Sequence, residues 1–306
     1  MTQQQYLKNL TVPEGTVDVV LDTDAYNEID DQFAICYLLR TRQKLNVKGI
    51  CAAPFFNRNS ASPADGMEKS YDEILRLLQL MGEEELRKIV YKGSLDYLPD
   101  ETTPVESEAA DFMAKLAAQY SPEKPLYIVA IGAITNVAAA ILKNPKMIES
   151  CVVVWLGGHA THDALAASEF NMKQDIAAAR VVMGCGVPFV HLPCRGVVDR
   201  FSTTRHELAH WMKGKNPLCD YLCENTIAYA EKNKAGTPWS KAIWDVTAVA
   251  WLLNEDDKFM KSRLIPAPIP EYDQRYATDP DRHLIRYVYE VKRDALFEDL
   301  FKALGE

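Results

Sequence analysis

The chain has 306 residues, of which 48% are hydrophobic and 25% are charged, a balance typical of globular proteins. Its formal net charge is −9, and no long basic segment interrupts the acidic excess. A surface of this sign repels nucleic-acid backbones and anionic lipids, so we expect neither nucleic acid nor a membrane as a partner.

The sequence gives no sign of export or of membrane insertion. Its first fifteen residues lack the apolar core of a signal peptide, and no apolar run approaches the ~20 residues that span a bilayer. The seven cysteines are odd in number and mostly embedded in apolar runs, which is typical of buried thiols in a reducing compartment. We therefore expect a cytoplasmic protein.

Short β-rich runs alternate with amphipathic segments along the first two thirds of the chain. The apolar runs predict strands at 17–22, 46–53, 87–93, 125–132, 151–158 and 188–193. Helical spacing predicts helices at 30–40, 66–82, 106–120, 135–144 and 174–186. Six such alternations indicate an α/β fold with an open, mostly parallel sheet and helices on both faces, followed from about residue 203 by a helical C-terminal portion. We expect residues 1–306 to form a single domain of this kind.

Five acidic side chains stand within ten positions directly after the first predicted strand: Asp22, Asp24, Glu28, Asp30 and Asp31. Ligands of open α/β sheets bind outside the carboxyl ends of the strands, where this cluster lies. Carboxylates this close stay ionised only beside a positive charge, and oxygen ligands without nearby histidine or cysteine favour a hard divalent cation. Capping of the following helix explains Asp30 and Asp31 by themselves, but not Asp22 and Asp24.

Two other site types match parts of the sequence. The stretch HELAH, His206 to His210, fits the zinc-protease helix motif, with Glu224 or Glu231 as a third ligand. An amphipathic helix with exposed histidines explains the same stretch, and we favour it. Asp-x-Asp after a first strand is also typical of haloacid-dehalogenase-type phosphatases, but Tyr26 stands where those enzymes carry Thr or Val.

Taken together, the motifs resemble those of the inosine/uridine-preferring nucleoside hydrolase family. The family's opening Asp-x-Asp, loop and Asp-Asp are present at 22–24 and 30–31. Its later motifs follow in order: the G-x-L-T-N loop at 132–136, E-F-N at 169–171 with Asp175, and a late aspartate, Asp245. The asparagine that follows the second strand is Asn57 or Asn59. The resemblance extends from about residue 17 to 252.

The resemblance implies a Ca²⁺-dependent N-ribohydrolase that cleaves ribonucleosides to ribose and free base. It implies calcium ligands in three carboxylates and one backbone carbonyl: Asp24, Asp31, Asp245 and Thr135. It makes Asp24 the general base that deprotonates the attacking water. It implies sugar contacts from Asp30, Asn57, Glu169 and Asn171, a small-molecule ribonucleoside as partner, and assembly into a homodimer or homotetramer.

The first metal loop departs from the family pattern by being two residues longer. Asn27 in this loop would add a hydrogen bond to the sugar. Glu28 is expected to face solvent, the common position of a loop glutamate.

The leaving-group side departs as well, because Trp244 replaces a histidine that helps the base to leave. Indole is not an acid at neutral pH, although its ring can stack on a purine. His159 is a candidate replacement acid, and a loop histidine satisfied by its neighbours is the alternative. Arg195 either pairs with a carboxylate or faces the crevice.

The leading hypothesis is thus hydrolysis of ribonucleosides. A related hydrolase or a binder of another ribosyl or pentosyl compound is the second reading. Retention of Asp24 argues against a pure binder, which needs no activated water. A zinc metalloprotease is the last alternative.

Overall fold

Apolar runs along the chain form a central β-sheet in the computed structural model, which describes residues 1–234 and 236–306. Within these residues the strands are β1 (Val17–Thr23), β2 (Leu45–Ala52), β3 (Val90–Lys92), β4 (Leu126–Ala130), β5 (Cys151–Leu156), β6 (Phe189–Leu192), β7 (Ser202–Thr203), β8 (Lys241–Ala242), β9 (Met260–Pro266), β10 (Ile269–Pro270), β11 (Tyr276–Ala277) and β12 (Leu284–Val291).

Amphipathic segments form the helices that connect and cover these strands. They are α1 (Gln3–Asn9), α2 (Asp30–Arg40), α3 (Pro63–Met81), α4 (Glu108–Ala117), α5 (Thr135–Lys143), α6 (Met147–Ser150), α7 (Phe170–Gln174), α8 (Ile176–Gly184), α9 (Arg205–Trp211), α10 (Pro217–Lys234), α11 (Val246–Trp251) and α12 (Arg293–Gly305). Short 3₁₀ helices span Glu84–Ile89, Ala166–Ser168, Val198–Arg200 and Glu255–Asp257. None of the described helices combines the length and the apolar character needed to cross a bilayer.

The central sheet has the strand order β3-β2-β1-β4-β5-β6-β12-β9. Every neighbouring pair is parallel except β12 and β9, which run antiparallel. Chain order proceeds outward from β1 through β2 on one side and from β4 through β5 on the other. The point where the strand order reverses therefore lies between β1 and β4, and a crevice forms there at the carboxyl ends of the strands.

Helices cover both faces of this sheet, as the sequence predicts. On one face, Phe33 of α2, Leu77 of α3 and Val249 of α11 belong to one buried apolar cluster. On the other face, Met113 of α4 and Val137 of α5 belong to a second cluster. β4 and β5 are buried along their whole length, because they lie between the two helical layers.

Two predicted elements differ in the structure. The third strand is shorter, since residues 84–89 form a 3₁₀ helix before Val90. The predicted helical C-terminal portion is incomplete, because β12 and β9 follow its helices and extend the main sheet. Both strands expose part of one face, so their hydrophobic signal is weaker than that of the central strands.

Candidate active site

Asp24 follows the end of β1 directly and is fully buried. Within the described part of the chain, neither of its carboxylate oxygens has a hydrogen-bond partner. Burial raises the pKa of this carboxyl well above its ordinary value, and the neighbouring Asp31 and Asp30 raise it further. An ionised Asp24 therefore needs a positive charge that the described side chains do not bring to it.

Three further carboxylates meet beside Asp24. Asp30 and Asp31 form the first turn of α2, and Asp245 directly precedes α11. Their oxygens lie within 4.8 Å of one another, and all three residues are buried. Thr23 at the end of β1 donates a hydrogen bond of 2.5 Å to Asp31 Oδ1, which holds the Asp31 carboxylate in place.

The two aspartates of α2 do not act as its caps. Ile29 occupies the N-cap position, and among the described residues no side-chain hydrogen bond caps this helix end. Burial followed by repulsion from Asp30 raises the pKa of Asp31 to about 7. This concentration of buried, mutually repelling oxygen ligands fits a hard divalent cation, which favours the metal-site interpretation over helix capping.

Asp22, by contrast, lies beneath the site. Its Oδ1 accepts a hydrogen bond of 2.8 Å from Asn136 Nδ2. The same amide donates to Ala52 O, and its oxygen accepts from Ser94, so Asn136 connects the ends of β1 and β2 with the residues that follow β3. Asp22 thus has a structural role, because it helps to hold together the strand ends on which the site is built.

The segment between β4 and α5 approaches Asp24 closely at Gly132. A Cβ atom at this position would lie 3.0 Å from Asp24 Oδ1 and 3.2 Å from the Ala53 side chain. A larger residue would therefore displace the carboxylate, which explains the glycine of the 132–136 motif.

Glu169 faces the aspartates from the loop after β5. Its carboxylate accepts backbone N–H hydrogen bonds from Gly158, Asn171 and Met172 at 2.8–3.0 Å. These bonds fix the side chain at the N-terminus of α7. Burial still raises the pKa of Glu169 above its ordinary value, because it outweighs the effect of these donors.

Two asparagines present fixed amide groups to the same space. Asn171 Nδ2 donates to Ile131 O at 3.0 Å and to Leu156 O at 3.1 Å, which leaves its Oδ1 to serve a ligand. Asn27 Oδ1 accepts a hydrogen bond of 2.5 Å from Asn57 Nδ2, which leaves the Asn27 amide hydrogens to serve a ligand. Asn59 Nδ2 supports this loop by donating to Asn27 O.

These side chains line one cavity of about 220 Å³ at the carboxyl edge of the sheet. Nine of the sequence-predicted site residues line it: Asp24, Asn27, Asp30, Asp31, His159, Glu169, Asn171, Trp244 and Asp245. Asn57 and Thr135 are not among the residues that line it. Asn57 donates a hydrogen bond to Asn27, which does line the cavity. The Thr135 hydroxyl donates to Asp175 Oδ2 at 2.7 Å.

A second cavity of about 350 Å³ adjoins the first and shares Glu28 and Trp244 with it. Tyr229 and Trp239 add aromatic walls. The charged residues that line it are two acids, Glu28 and Asp199, and two lysines, Lys234 and Lys241. Its lining is therefore aromatic and close to electrically balanced.

The prediction that Glu28 faces solvent is wrong. Glu28 Oε2 lies 2.6 Å from Lys241 Nζ, and Tyr229 donates a hydrogen bond of 2.6 Å to Oε1. Lys241 also lies 3.5 Å from Asp30 Oδ1. The sequence analysis did not identify Lys241 as a site residue, because its local sequence pattern indicates no function. The fold brings it to the cluster through its position on β8.

His159 and Arg195 lie in neighbouring loops at the side of the first cavity. Arg195 forms an ion pair of 2.8 Å with Asp163, which is the structural role that the sequence left open. Its backbone N–H donates to His159 Nδ1 at 3.3 Å, so a neutral His159 ring carries its hydrogen on Nε2. Burial and the Arg195 charge lower the pKa of His159, which favours this neutral form.

The structure contradicts the zinc-protease reading of 206–210. His206 and His210 are exposed on the short helix α9. Glu207 caps this helix together with Thr204 and also pairs with Arg293, so its carboxylate is occupied. Among residues 1–234 and 236–306, the cluster suited to a metal ion is Asp30, Asp31 and Asp245.

Comparisons with known proteins agree with this geometry. The sequence profile described as inosine-uridine preferring nucleoside hydrolase matches residues 19–296. A pyrimidine-specific ribonucleoside hydrolase of Citrobacter koseri is 26% identical over 255 residues, covering 74% of this chain and 77% of that protein. An uncharacterized protein of Schizosaccharomyces pombe is 29% identical over 157 residues, and the match spans about half of each chain, 49%.

Among solved structures, a purine-preferring ribonucleoside hydrolase from Gardnerella vaginalis has a TM-score of 0.75 at 19% identity. The match covers 94% of this chain and 98% of that one, and it shows a shared fold. With the profile match over nearly the whole sequence, the chain belongs to the inosine-uridine preferring nucleoside hydrolase family, whose members hydrolyse N-glycosyl compounds.

Proposed function

We propose that this protein is a Ca²⁺-dependent N-ribohydrolase that cleaves ribonucleosides into ribose and free base. The observation that carries the proposal is the buried cluster of Asp24, Asp30, Asp31 and Asp245 in a cavity that is also lined by Glu169 and Asn171. A cavity of about 220 Å³ suits a pentose, and its walls offer carboxylates and amides, the groups that bind sugar hydroxyls.

Asp24, Asp31, Asp245 and the Thr135 carbonyl are the proposed ligands of the ion. When bound, Ca²⁺ supplies the charge that lowers the pKa of an adjacent water and holds two ribose hydroxyls. We assign the water's proton to Asp24, because it is buried beside the other aspartates and neither of its oxygens has a described hydrogen-bond partner, so one oxygen can face the ion and the other the water.

Glu169 and Asn171 orient the sugar and stabilise the transition state. Loss of the base leaves positive charge on the ribose ring, as in other glycosidic cleavages. The carboxylate of Glu169 is held by three backbone N–H groups and does not need to move to meet this charge. A preorganised negative charge of this kind lowers the barrier more than it tightens substrate binding.

The second cavity would receive the departing base. Its position next to the first cavity, its larger volume and its aromatic residues Tyr229, Trp239 and Trp244 support this assignment. His159 would help as a neutral donor through Nε2, since its lowered pKa disfavours a charged acid at neutral pH.

Three broader expectations stay proposals. We propose that residues 1–306 form one domain, that the protein acts in the cytoplasm, and that it assembles into a homodimer or homotetramer. The family membership supports the ribonucleoside as its small-molecule partner.

The direct test compares ribose release by the wild type with that of Asp24→Ala. The substitution removes both a proposed ligand and the base, so the rate should fall by ~10³-fold or more. Asp18→Ala is the matched control, because Asp18 lies on the same strand at its amino end and bonds to Tyr120. Wild-type rates in Asp24→Ala would refute the mechanism.

A further inference from the structure

Lys241 lies beside the acidic cluster and contacts one of its members, Asp30. Its side chain is 11% exposed, and its Nζ lies 2.6 Å from Glu28 Oε2, 2.9 Å from Ala242 O and 3.5 Å from Asp30 Oδ1. These three acceptors match the three hydrogens of an ammonium group. Lys241 also lines the second cavity, but its ammonium group is directed at these protein acceptors, which indicates a role in arranging the site.

The longer first metal loop provides the anchor for this lysine. Glu28 belongs to that loop, and it bonds through one oxygen to Lys241 on β8 and through the other to Tyr229 on α10. The loop extension and the lysine thus form one structural unit that reaches Asp30 from outside the aspartate cluster.

Asp30 lies where it could bind either the metal ion or the sugar. Its carboxylate lies within 4.8 Å of those of Asp31 and Asp245, close enough to join a metal ion that those residues bind. It also lines the cavity that contains Glu169 and Asn171, where it would meet the proposed sugar. A lysine on one carboxylate oxygen disfavours a second cation on the same group, because the two positive charges repel each other.

We propose that Lys241, anchored by Glu28, is a positioning residue that keeps Asp30 out of the metal coordination and available to the sugar. The inference rests on the proposed function, since it assumes that a divalent cation and a ribose share this cavity. It adds a reason why two adjacent aspartates of one helix turn serve different ligands.

Isothermal titration calorimetry of the metal-free protein tests the inference without requiring turnover. The probes are Ca²⁺ alone and then free ribose in the presence of Ca²⁺. In Lys241→Met the affinity for Ca²⁺ should rise by about tenfold, because a nearby positive charge is lost and Asp30 is released to the ion. The affinity for ribose should fall by about tenfold, because Asp30 no longer meets the sugar. Lys241→Arg keeps the charge and should stay within about threefold of wild type on both probes.

Lys44→Met is the matched control. Lys44 is also a mostly buried lysine, 16% exposed, and it pairs with Glu255 away from the cavity. It should leave both affinities unchanged. Lys241→Gln, which keeps a hydrogen-bond donor, replaces the methionine variant if that variant does not fold.

The outcomes separate the inference from the proposed function. In one outcome the wild type binds both Ca²⁺ and ribose while Lys241→Met binds Ca²⁺ no more tightly than the wild type does. That result would overturn the inference and leave the proposed function standing. Wild-type protein that binds no Ca²⁺ would overturn the metal-dependent function and the inference with it.

Discussion

At the scale of single residues, two buried carboxylates of the candidate site differ in their hydrogen bonding. Asp24 has two oxygens without a described partner, whereas Glu169 has its carboxylate held by three backbone N–H groups. The first arrangement suits a group that exchanges protons, and the second suits a fixed charge. Sequence motifs located both residues, but they could not show this difference in hydrogen bonding.

Glu169→Gln tests the fixed-charge role. The amide keeps the shape of the side chain but removes the negative charge that faces the developing charge on the sugar. We expect kcat for ribonucleoside hydrolysis to fall by about 10²–10³-fold, with KM changed by less than about threefold. Steady-state kinetics measure both constants. A raised KM at unchanged kcat would mean that Glu169 binds the substrate and the transition state equally, which would contradict the fixed-charge role.

At the scale of elements, strand ends, a connecting loop and two helix starts compose the site. β1 supplies Asp24, the loop after β5 supplies Glu169, and the starts of α2 and α11 supply the remaining aspartates. The strand–helix alternation predicted this convergence, because parallel strands place their carboxyl ends at one edge. The pairing of Glu28 with Lys241 could not be predicted, since it joins residues 213 positions apart through a two-residue strand.

The segment between β4 and α5 gives a prediction at this scale. Gly132→Ala should push the Asp24 carboxylate from its position, because the new Cβ would approach Asp24 Oδ1 to 3.0 Å. We expect the rate of hydrolysis to fall by at least about tenfold, since a small misplacement of a reacting group is costly. The fold should persist.

Gly184→Ala is the appropriate comparison for that variant. At Gly184 the nearest atom to a new Cβ is Arg282 Nη2 at 3.5 Å, an ordinary contact. Activity assays with thermal unfolding on both variants measure the difference. A Gly132→Ala enzyme as active as Gly184→Ala would show that Asp24 needs no such close packing.

At the scale of the whole molecule, the sheet and its two helical layers follow from the first two thirds of the sequence. Buried central strands such as β4 and β5 give continuous apolar runs that can be recognised directly. The edge formed by β12 and β9 was not predicted, because both strands are only partly buried and their apolar signal is weaker than that of the central strands. Local sequence patterns therefore predict the strands around the aspartate cluster better than they predict the far edge of the sheet.

The described chain also carries several buried carboxylates that repel one another, and they can stay ionised together if a cation lies between them. The most direct measurement is therefore ribose release from a panel of nucleosides by metal-free protein titrated with Ca²⁺. We predict no hydrolysis without the ion and activity that saturates at about one Ca²⁺ per chain. Full activity in the metal-free protein, or bound Ca²⁺ with no ribose released from any nucleoside, would contradict the account.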